Sequence, residues 1–338
     1  MYKIKQIPED FLVKEISNKK SEGNGQYSRY ILKKTSYTTV DALTAISKRL
    51  DIPLKNMGFA GNKDKNAVTE QLISIFRGSK NLENIKLMDI ELKYIGNSKE
   101  PVSLGDLKGN EFTITIRNLG NEEIKKIKSI QNKKIKVPNL YGPQRFSKNN
   151  HLVGNAIIKK DFKKAINLVL ENNGILENKI RQYLEKNKNN YIEALRLIPF
   201  KTRKLFVHSY QSFLFNKIVN EYLKNKKIKL KHEEIPIIGF NFELSSIKNT
   251  KLKNIAKKFI EEGKITPRDF VISQMPELTS EGTFRDLFFE INHMTISETG
   301  DDEINSGKKK VKINFTLPKS CYATTALEFV FCQVCRLS

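Results

Sequence analysis

Histidine and cysteine, on which many enzyme classes rest, are scarce in this chain. Its 338 residues hold four histidines, His151, His208, His232 and His293, none next to a residue that reads as a nucleophile. Triad chemistry is therefore not the expectation. Three cysteines are too few for a disulfide framework and fit a reducing cytosol. Cys332 and Cys335 form a lone C-x-x-C, but zinc needs two further ligands, and Cys321 with scattered histidines does not supply them at a ligand spacing. Packed thiols are the expectation there, and no metal. No apolar run approaches the roughly 18–20 residues of a membrane span. The opening residues 1–10 carry charges with no apolar core behind them, so they do not read as a signal peptide, and the expected location is cytoplasmic. A phosphate-binding G-x-x-x-x-G-K-[ST] loop, an H-E-x-x-H zinc helix and a G-x-S-x-G elbow are all missing. An enzyme built on this chain must therefore rely on a carboxylate.

Acidic residues are the next shortage. Thirty-seven Asp and Glu face 60 Lys and Arg, a net charge of +23. Such an excess favours a polyanionic partner, because each cation that meets a phosphate releases a condensed counterion. Arginine is scarce within the excess, at 11 of the 60 basic residues. Lysine serves as a point charge towards phosphate but reads base edges poorly.

Periodicity divides the chain into three stretches. In the first, Thr38 and Thr39 precede Val40, Leu43, Ile46 and Leu50, a capped helical stripe. Phe112, Ile114 and Ile116 then alternate as in a half-buried strand, and Asn121 opens a helix with Ile124, Ile127 and Ile130 on one side. The middle stretch reads mainly as helix at 161–170, 192–197 and 205–223, with a lysine run over 224–231 and loop with short strands over 263–281. Val311, Ile313, Phe315 and Leu317 alternate again before Pro318. This order predicts an α+β protein: a catalytic domain over 1–154 and 306–338, interrupted by a largely helical insertion over 155–305. The last strand is expected to join the first sheet.

The most unusual segment is Gly58-Phe59-Ala60-Gly61-Asn62-Lys63-Asp64-Lys65-Asn66-Ala67-Val68-Thr69-Glu70-Gln71. A carboxylate sits between two lysines in a polar turn, followed by residues of strand character. An ammonium brought close to Asp64 would favour its ionised form. Asp in such a turn is also a common solvated turn former.

This segment closely resembles the signature of the TruD family of tRNA pseudouridine synthases. Four others match in order: Lys5-Gln6-Ile7-Pro8-Glu9-Asp10-Phe11, the run from Leu104 to Phe112, Val137-Pro138-Asn139-Leu140-Tyr141-Gly142-Pro143-Gln144-Arg145-Phe146, and Leu317-Pro318-Lys319-Ser320-Cys321-Tyr322-Ala323-Thr324. Ser212-Phe213-Leu214-Phe215-Asn216 and Ile265-Thr266-Pro267-Arg268-Asp269-Phe270 also match, the latter resembling archaeal and eukaryotic members. The resemblance spans nearly the whole chain. Three departures stand out: Tyr141 where many members have Phe, Ser147 where Gly is usual, and Ser320-Cys321 where Gly-Ser is usual.

The resemblance implies a pseudouridine synthase fold, a mixed and mostly antiparallel sheet with helices, interrupted by a TruD-type insertion domain. It implies that Asp64 is the catalytic aspartate with Lys5 beside it. It places Phe11, Asn139, Tyr141 and Tyr322 against the substrate. The reaction implied is isomerisation of uridine to pseudouridine, at uridine 13 of tRNA, with no cofactor, no membrane and no obligate protein partner. Read from the residues alone, Phe11 also suits a core position, Asn139 a turn, Tyr322 a cap on a core, and Arg145 a structural ion pair. Two other functions share the charge pattern. One is a non-catalytic RNA-binding or RNA-chaperone protein on the same scaffold. The other is a carboxylate nuclease, which would want several acidic ligands together, whereas Glu70 is the only other acid near Asp64 in the segment.

Overall fold

The computed structural model describes residues 2–17, 19, 23–224 and 233–336. The lysines from 225 to 231 and the side chains of Cys332 and Cys335 lie outside the described residues. The strands are β1 (Phe11–Ser17), β2 (Tyr27–Thr35), β3 (Met57–Phe59), β4 (Val68–Phe76), β5 (Ile90–Ser98), β6 (Leu107–Leu119), β7 (Ile135–Pro138), β8 (Glu234–Ile237), β9 (Thr283–Asp286), β10 (Phe288–Asp301) and β11 (Lys309–Pro318). The helices are α1 (Thr39–Leu50), α2 (Asn121–Ser129), α3 (Asn150–Ile158), α4 (Phe162–Leu170), α5 (Ile175–Lys186), α6 (Tyr191–Arg196), α7 (Phe200–Leu223), α8 (Thr250–Glu262) and α9 (Ala323–Arg336).

The chain forms two compact units. The first comprises the residues up to Val137, Phe289–Ala323 and the final helix from Leu327; the second comprises Pro138–Phe288 with Thr324–Ala326. The boundaries expected at 154/155 and 305/306 fall elsewhere. The first would cut through α3, whose Val153, Ala156 and Ile157 pack in the core of the second unit. The second would separate β10 from β11, its antiparallel partner in the sheet of the first unit.

That sheet has nine strands in the order β5-β2-β4-β1-β6-β11-β10-β7, with β3 added on β4. Six pairings have antiparallel registers, and β1 runs parallel to β4 with Leu12 opposite Val68. The alternation read in β6 and β11 is realised: Phe112, Ile114, Ile116, Val311, Ile313, Phe315 and Leu317 are buried. The closing strand returns to the first, with Ile313 opposite Ile114 and Ile114 opposite Phe11. In α1, the Thr38 hydroxyl accepts from the Asp41 N–H at 3.1 Å, and Leu43 and Ile46 are buried; Val40, in the first turn, is exposed.

The second unit is helical around α7. Phe206, Val207, Tyr210, Leu214, Phe215, Ile218, Val219 and Tyr222 of that helix are all buried. Gly154 lets α3 lie against it, since a Cβ there would come within 2.0 Å of the Phe206 carbonyl oxygen. The stretch 263–281, expected as loop with short strands, is irregular with 3-10 turns at Pro267–Phe270 and Pro276–Leu278 in place of the strands. Their Ile265, Phe270, Ile272 and Leu278 bury as single anchors rather than in alternation.

One buried charge cluster ties the sheet of the first unit together. The Arg117 guanidinium on β6 donates to Asp10 Oδ1 at 2.8 Å, Asp302 Oδ1 at 2.9 Å and Glu303 Oε1 at 3.0 Å. Burial would push Asp302 up, but the Asn118 N–H, the Asn305 amide, the Ile304 N–H and Arg117 outweigh it and hold its carboxyl well below the usual range. Hydrogen bonds from Arg117 and Lys310 pull Glu303 down to about 2. Arg117→Met should strand the buried Asp10 and Asp302 carboxylates and cost about 3–5 kcal/mol, read as a lower urea midpoint at neutral pH. The gap from wild type should narrow as pH falls from about 4, where the unfolded chain begins to take up carboxylate protons, to about 2, where the Glu303 carboxyl of the wild-type clamp does so.

Candidate active site

Asp64 lies in the turn between β3 and β4. The turn is entered at Gly58, where a Cβ would meet the Val102 carbonyl oxygen at 2.2 Å and Ser74 Oγ at 2.7 Å, so only glycine fits. From there the backbone is held by buried polar groups. The Lys63 N–H donates to Thr39 Oγ1 at 2.9 Å, the Thr39 hydroxyl donates to Gln71 Oε1 at 2.8 Å, and Gln71 Nε2 donates to the Gly61 carbonyl at 3.1 Å. The Lys63 ammonium pairs with Glu15 Oε2, with both side chains buried. Lys34, fully buried on β2, donates to the carbonyls of Asp64 at 3.0 Å and Tyr37 at 2.5 Å. Burial pulls the Lys34 ammonium down to about 8, with the neighbouring Asp64 opposing the shift.

The Asp64 side chain remains 31% exposed. Its Oδ2 accepts a hydrogen bond from Lys5 Nζ at 2.6 Å. The ammonium that reaches Asp64 thus comes from a residue 59 positions earlier, while the adjacent Lys63 turns to Glu15. Lys5 sits in the left-handed region at φ +58°, which costs roughly 1 kcal/mol for a side chain with a Cβ. Asp10 supports this turn: its Oδ2 accepts from the Gln6 N–H at 3.0 Å and the Ile7 N–H at 3.2 Å, and Arg117 holds the carboxylate from the other side.

The Lys5 ammonium also lies 3.9 Å from the centroid of the Phe11 ring. Phe11 is only 2% exposed, edge-on to Phe112 at 5.9 Å, and Phe112 stacks on Phe315 at 5.6 Å. A ring so placed offers a base almost no surface. Its visible work is to seat Lys5 and to continue an aromatic row across β1, β6 and β11. Tyr322, half-buried, follows the end of β11 and immediately precedes α9.

Asn139 and Tyr141 are grouped within the second unit. Asn139 is buried; Arg285 on β9 donates from Nε to its carbonyl at 3.1 Å and from Nη2 to its Oδ1. The Arg285 guanidinium lies 4.4 Å from the Tyr141 ring centroid, and that of Arg145 lies 5.6 Å away. The amide of Asn216 on α7 donates to the Tyr141 carbonyl and accepts from its N–H, both at 2.9 Å. Arg145, read as an ion-pair residue, instead donates to Ser212 Oγ at 3.2 Å and faces the Tyr141 ring; among the described residues it has no carboxylate partner. The segment from Ser212 to Asn216 is therefore the mount on which the Asn139–Arg145 segment sits. Ser147 and Ser320 occupy left-handed backbone at φ +46° and +67°. That conformation is where glycine is least costly, which accounts for the usual Gly in the motifs these serines interrupt.

The family model of tRNA pseudouridine synthase D (TruD) matches residues 2–179, 170–234 and 224–329. The chain belongs to the TruD family. A relative from Methanosarcina acetivorans, named "Probable tRNA pseudouridine synthase D", is 30% identical over 96% of this chain and 91% of its own. The Aquifex aeolicus "tRNA pseudouridine synthase D" is 29% identical over 98% of both. A crystal structure from Methanosarcina mazei, named for the same synthase, aligns with a TM-score of 0.71 at 29% identity, over 97% of this chain and 93% of that one. The mixed, mostly antiparallel sheet with its helices is accordingly a pseudouridine synthase fold in its TruD form. No described helix is long and apolar enough to cross a membrane.

Asp10, Lys34, Arg117, Asn216 and Arg285 were not singled out as site residues by sequence reasoning. Asp10, Arg117 and Asn216 lie in or beside matched segments, yet their work is on backbone and on other side chains, which no motif displays. The burial of Phe11 yields a prediction for this TruD chain. Phe11→Ala should cost about 3–5 kcal/mol of stability, as for a fully buried aromatic, measured by urea denaturation. A loss under about 1 kcal/mol would show that the ring carries little of the core.

Proposed function

We propose that this chain isomerises uridine to pseudouridine in tRNA, with uridine 13 the target that the family resemblance implies. The observation that carries the reading is the Asp64 carboxylate, exposed on a turn fixed by buried groups and paired with Lys5 at 2.6 Å. In the reaction the glycosidic bond to N1 breaks, the uracil turns over, C5 bonds to the ribose carbon and gives up its proton, and N1 takes one up. An ionised Asp64 has two routes into this chemistry: attack as a nucleophile, or removal of a proton from the ribose. Both need the anion, and the Lys5 ammonium stabilises it. The base must leave its stack to be reached. Tyr141 and Tyr322, each only partly buried, are the aromatic residues we assign to the substrate, with Asn139 as a hydrogen-bonding contact. Phe11, buried, is assigned to the same site through Lys5. The +23 charge supports binding of the tRNA backbone in the cytoplasm. The scheme uses no cofactor.

Asp64→Asn is nearly isosteric but cannot be anionic. Its pseudouridine formation in tRNA, mapped at nucleotide resolution, should fall below detection while tRNA affinity stays equal or rises. A variant that still forms pseudouridine would remove Asp64 from the chemistry. A wild-type protein that binds tRNA but forms none would favour the RNA-binding alternative.

Affinity for tRNA should also fall steeply with salt. Neutralising about 6–10 phosphates predicts a loss of about 10³–10⁵ between about 50 and 200 mM salt on duplex-like nucleic acid, and a shallower slope on folded RNA. Titrations at several salt concentrations measure the slope, and a flat one would make the lysine excess compositional.

A further inference from the structure

We propose that Lys34 is a positioning residue for the reaction, acting through its hydrogen bond to the backbone carbonyl of Asp64. The inference rests on the reading of Asp64 as the catalytic carboxylate. Lys34 has no solvent exposure, yet it carries an ionisable amine. Burying such a group is unfavourable unless its donors are used. Two of them are: one meets Asp64 O at 3.0 Å, the other Tyr37 O at 2.5 Å. The second bond ties the approach to α1 to the same amine that holds the Asp64 turn, so one side chain sets the spacing between the two segments.

The charged groups around the amine are Asp64 and Lys63 from the turn and Asp41 from α1. Lys63 is itself neutralised by Glu15, and Asp64 is met by Lys5 from outside. Lys34 therefore holds Asp64 through its backbone carbonyl, while Lys5 holds it through the carboxylate. Among the bonds that fix the turn, the one that holds the Asp64 carbonyl comes from Lys34. A shift of the carboxylate by about 1 Å is enough to cost up to about 100-fold in rate.

The test compares Lys34→Met, similar in length and unable to donate, with wild type in single-turnover pseudouridine formation on tRNA. The single-turnover rate per folded molecule should fall about 10–100-fold, with the tRNA dissociation constant within about twofold of wild type. A rate equal to wild type would overturn the proposal, as would a loss of affinity that accounts for the whole loss of rate. Lys34→Gln, shorter but still a donor, is measured alongside and should fall between the two. If neither variant folds, as judged by circular dichroism and melting temperature, Lys34 is a stability residue and the proposal is wrong. Asp64→Asn is run in the same assay. Turnover by that variant would sink the catalytic reading of Asp64 itself, whereas an inactive Asp64→Asn beside a fully active Lys34→Met would sink only the role of Lys34.

Discussion

A carboxylate and an ammonium 2.6 Å apart at a partly exposed site set the demands on the rest of the first unit. At 31% and 16% side-chain exposure, water competes for both groups. Such pairs contribute little to stability by themselves. The pair is therefore a product of the scaffold. On the Asp64 side the scaffold is the set of bonds from Thr39, Gln71 and Lys34. On the Lys5 side it is a left-handed residue whose next two N–H groups are captured by Asp10.

Topology explains why these two residues meet. Lys5 precedes β1 and Asp64 precedes β4, and β1 and β4 are parallel neighbours. Parallel strands place their N-terminal ends at the same edge of the sheet, so the segments feeding them converge there. An antiparallel pairing would have sent the two segments to opposite edges. Arg117 adds a brace from the other neighbour of β1: it stands on β6 and grips Asp10 between Lys5 and the strand.

Much of this was legible in the sequence wherever period and motif coincide. The α1 cap, the alternation of β6 and β11 and the helical middle stretch follow from spacing alone. Asp64 stood out in its lysine-flanked turn beside a turn-former reading, whereas Lys5 was legible only through resemblance, because spacing pointed to Lys63 and Lys65 as the nearest cations. β10 escaped notice because its pairing with β11 shifts register between Asn292 and Thr295 and again between Ile296 and Glu298. Its buried residues move from the odd positions Phe289 and Ile291 to the even position Met294, which erases the two-residue period. That lost strand also explains the misplaced domain boundary. Arg117, Arg203 and Arg285 carried a faint signal: in a chain that uses lysine for most of its charge, these arginines stand where several donors of one planar group are used at once, Arg203 donating to the Ile198 carbonyl and to Glu277.

The distribution of buried charge separates positioning from mere stability. Replacing a buried ion pair with apolar side chains is often neutral or stabilising, so buried charge is weak evidence for stability by itself. In the first unit most buried charged side chains gather around the ion pair, while Arg29 on β2, which donates to Ser98 Oγ at 2.6 Å, stands apart. Lys34, Lys63 and Glu15 lie under the Asp64 turn, while Asp10, Arg117 and Asp302 lie behind the Lys5 turn. An apolar core could hold β1 and β4 together equally well. It could not direct hydrogen bonds to chosen backbone atoms on either side of one ion pair, and that is the property this arrangement supplies.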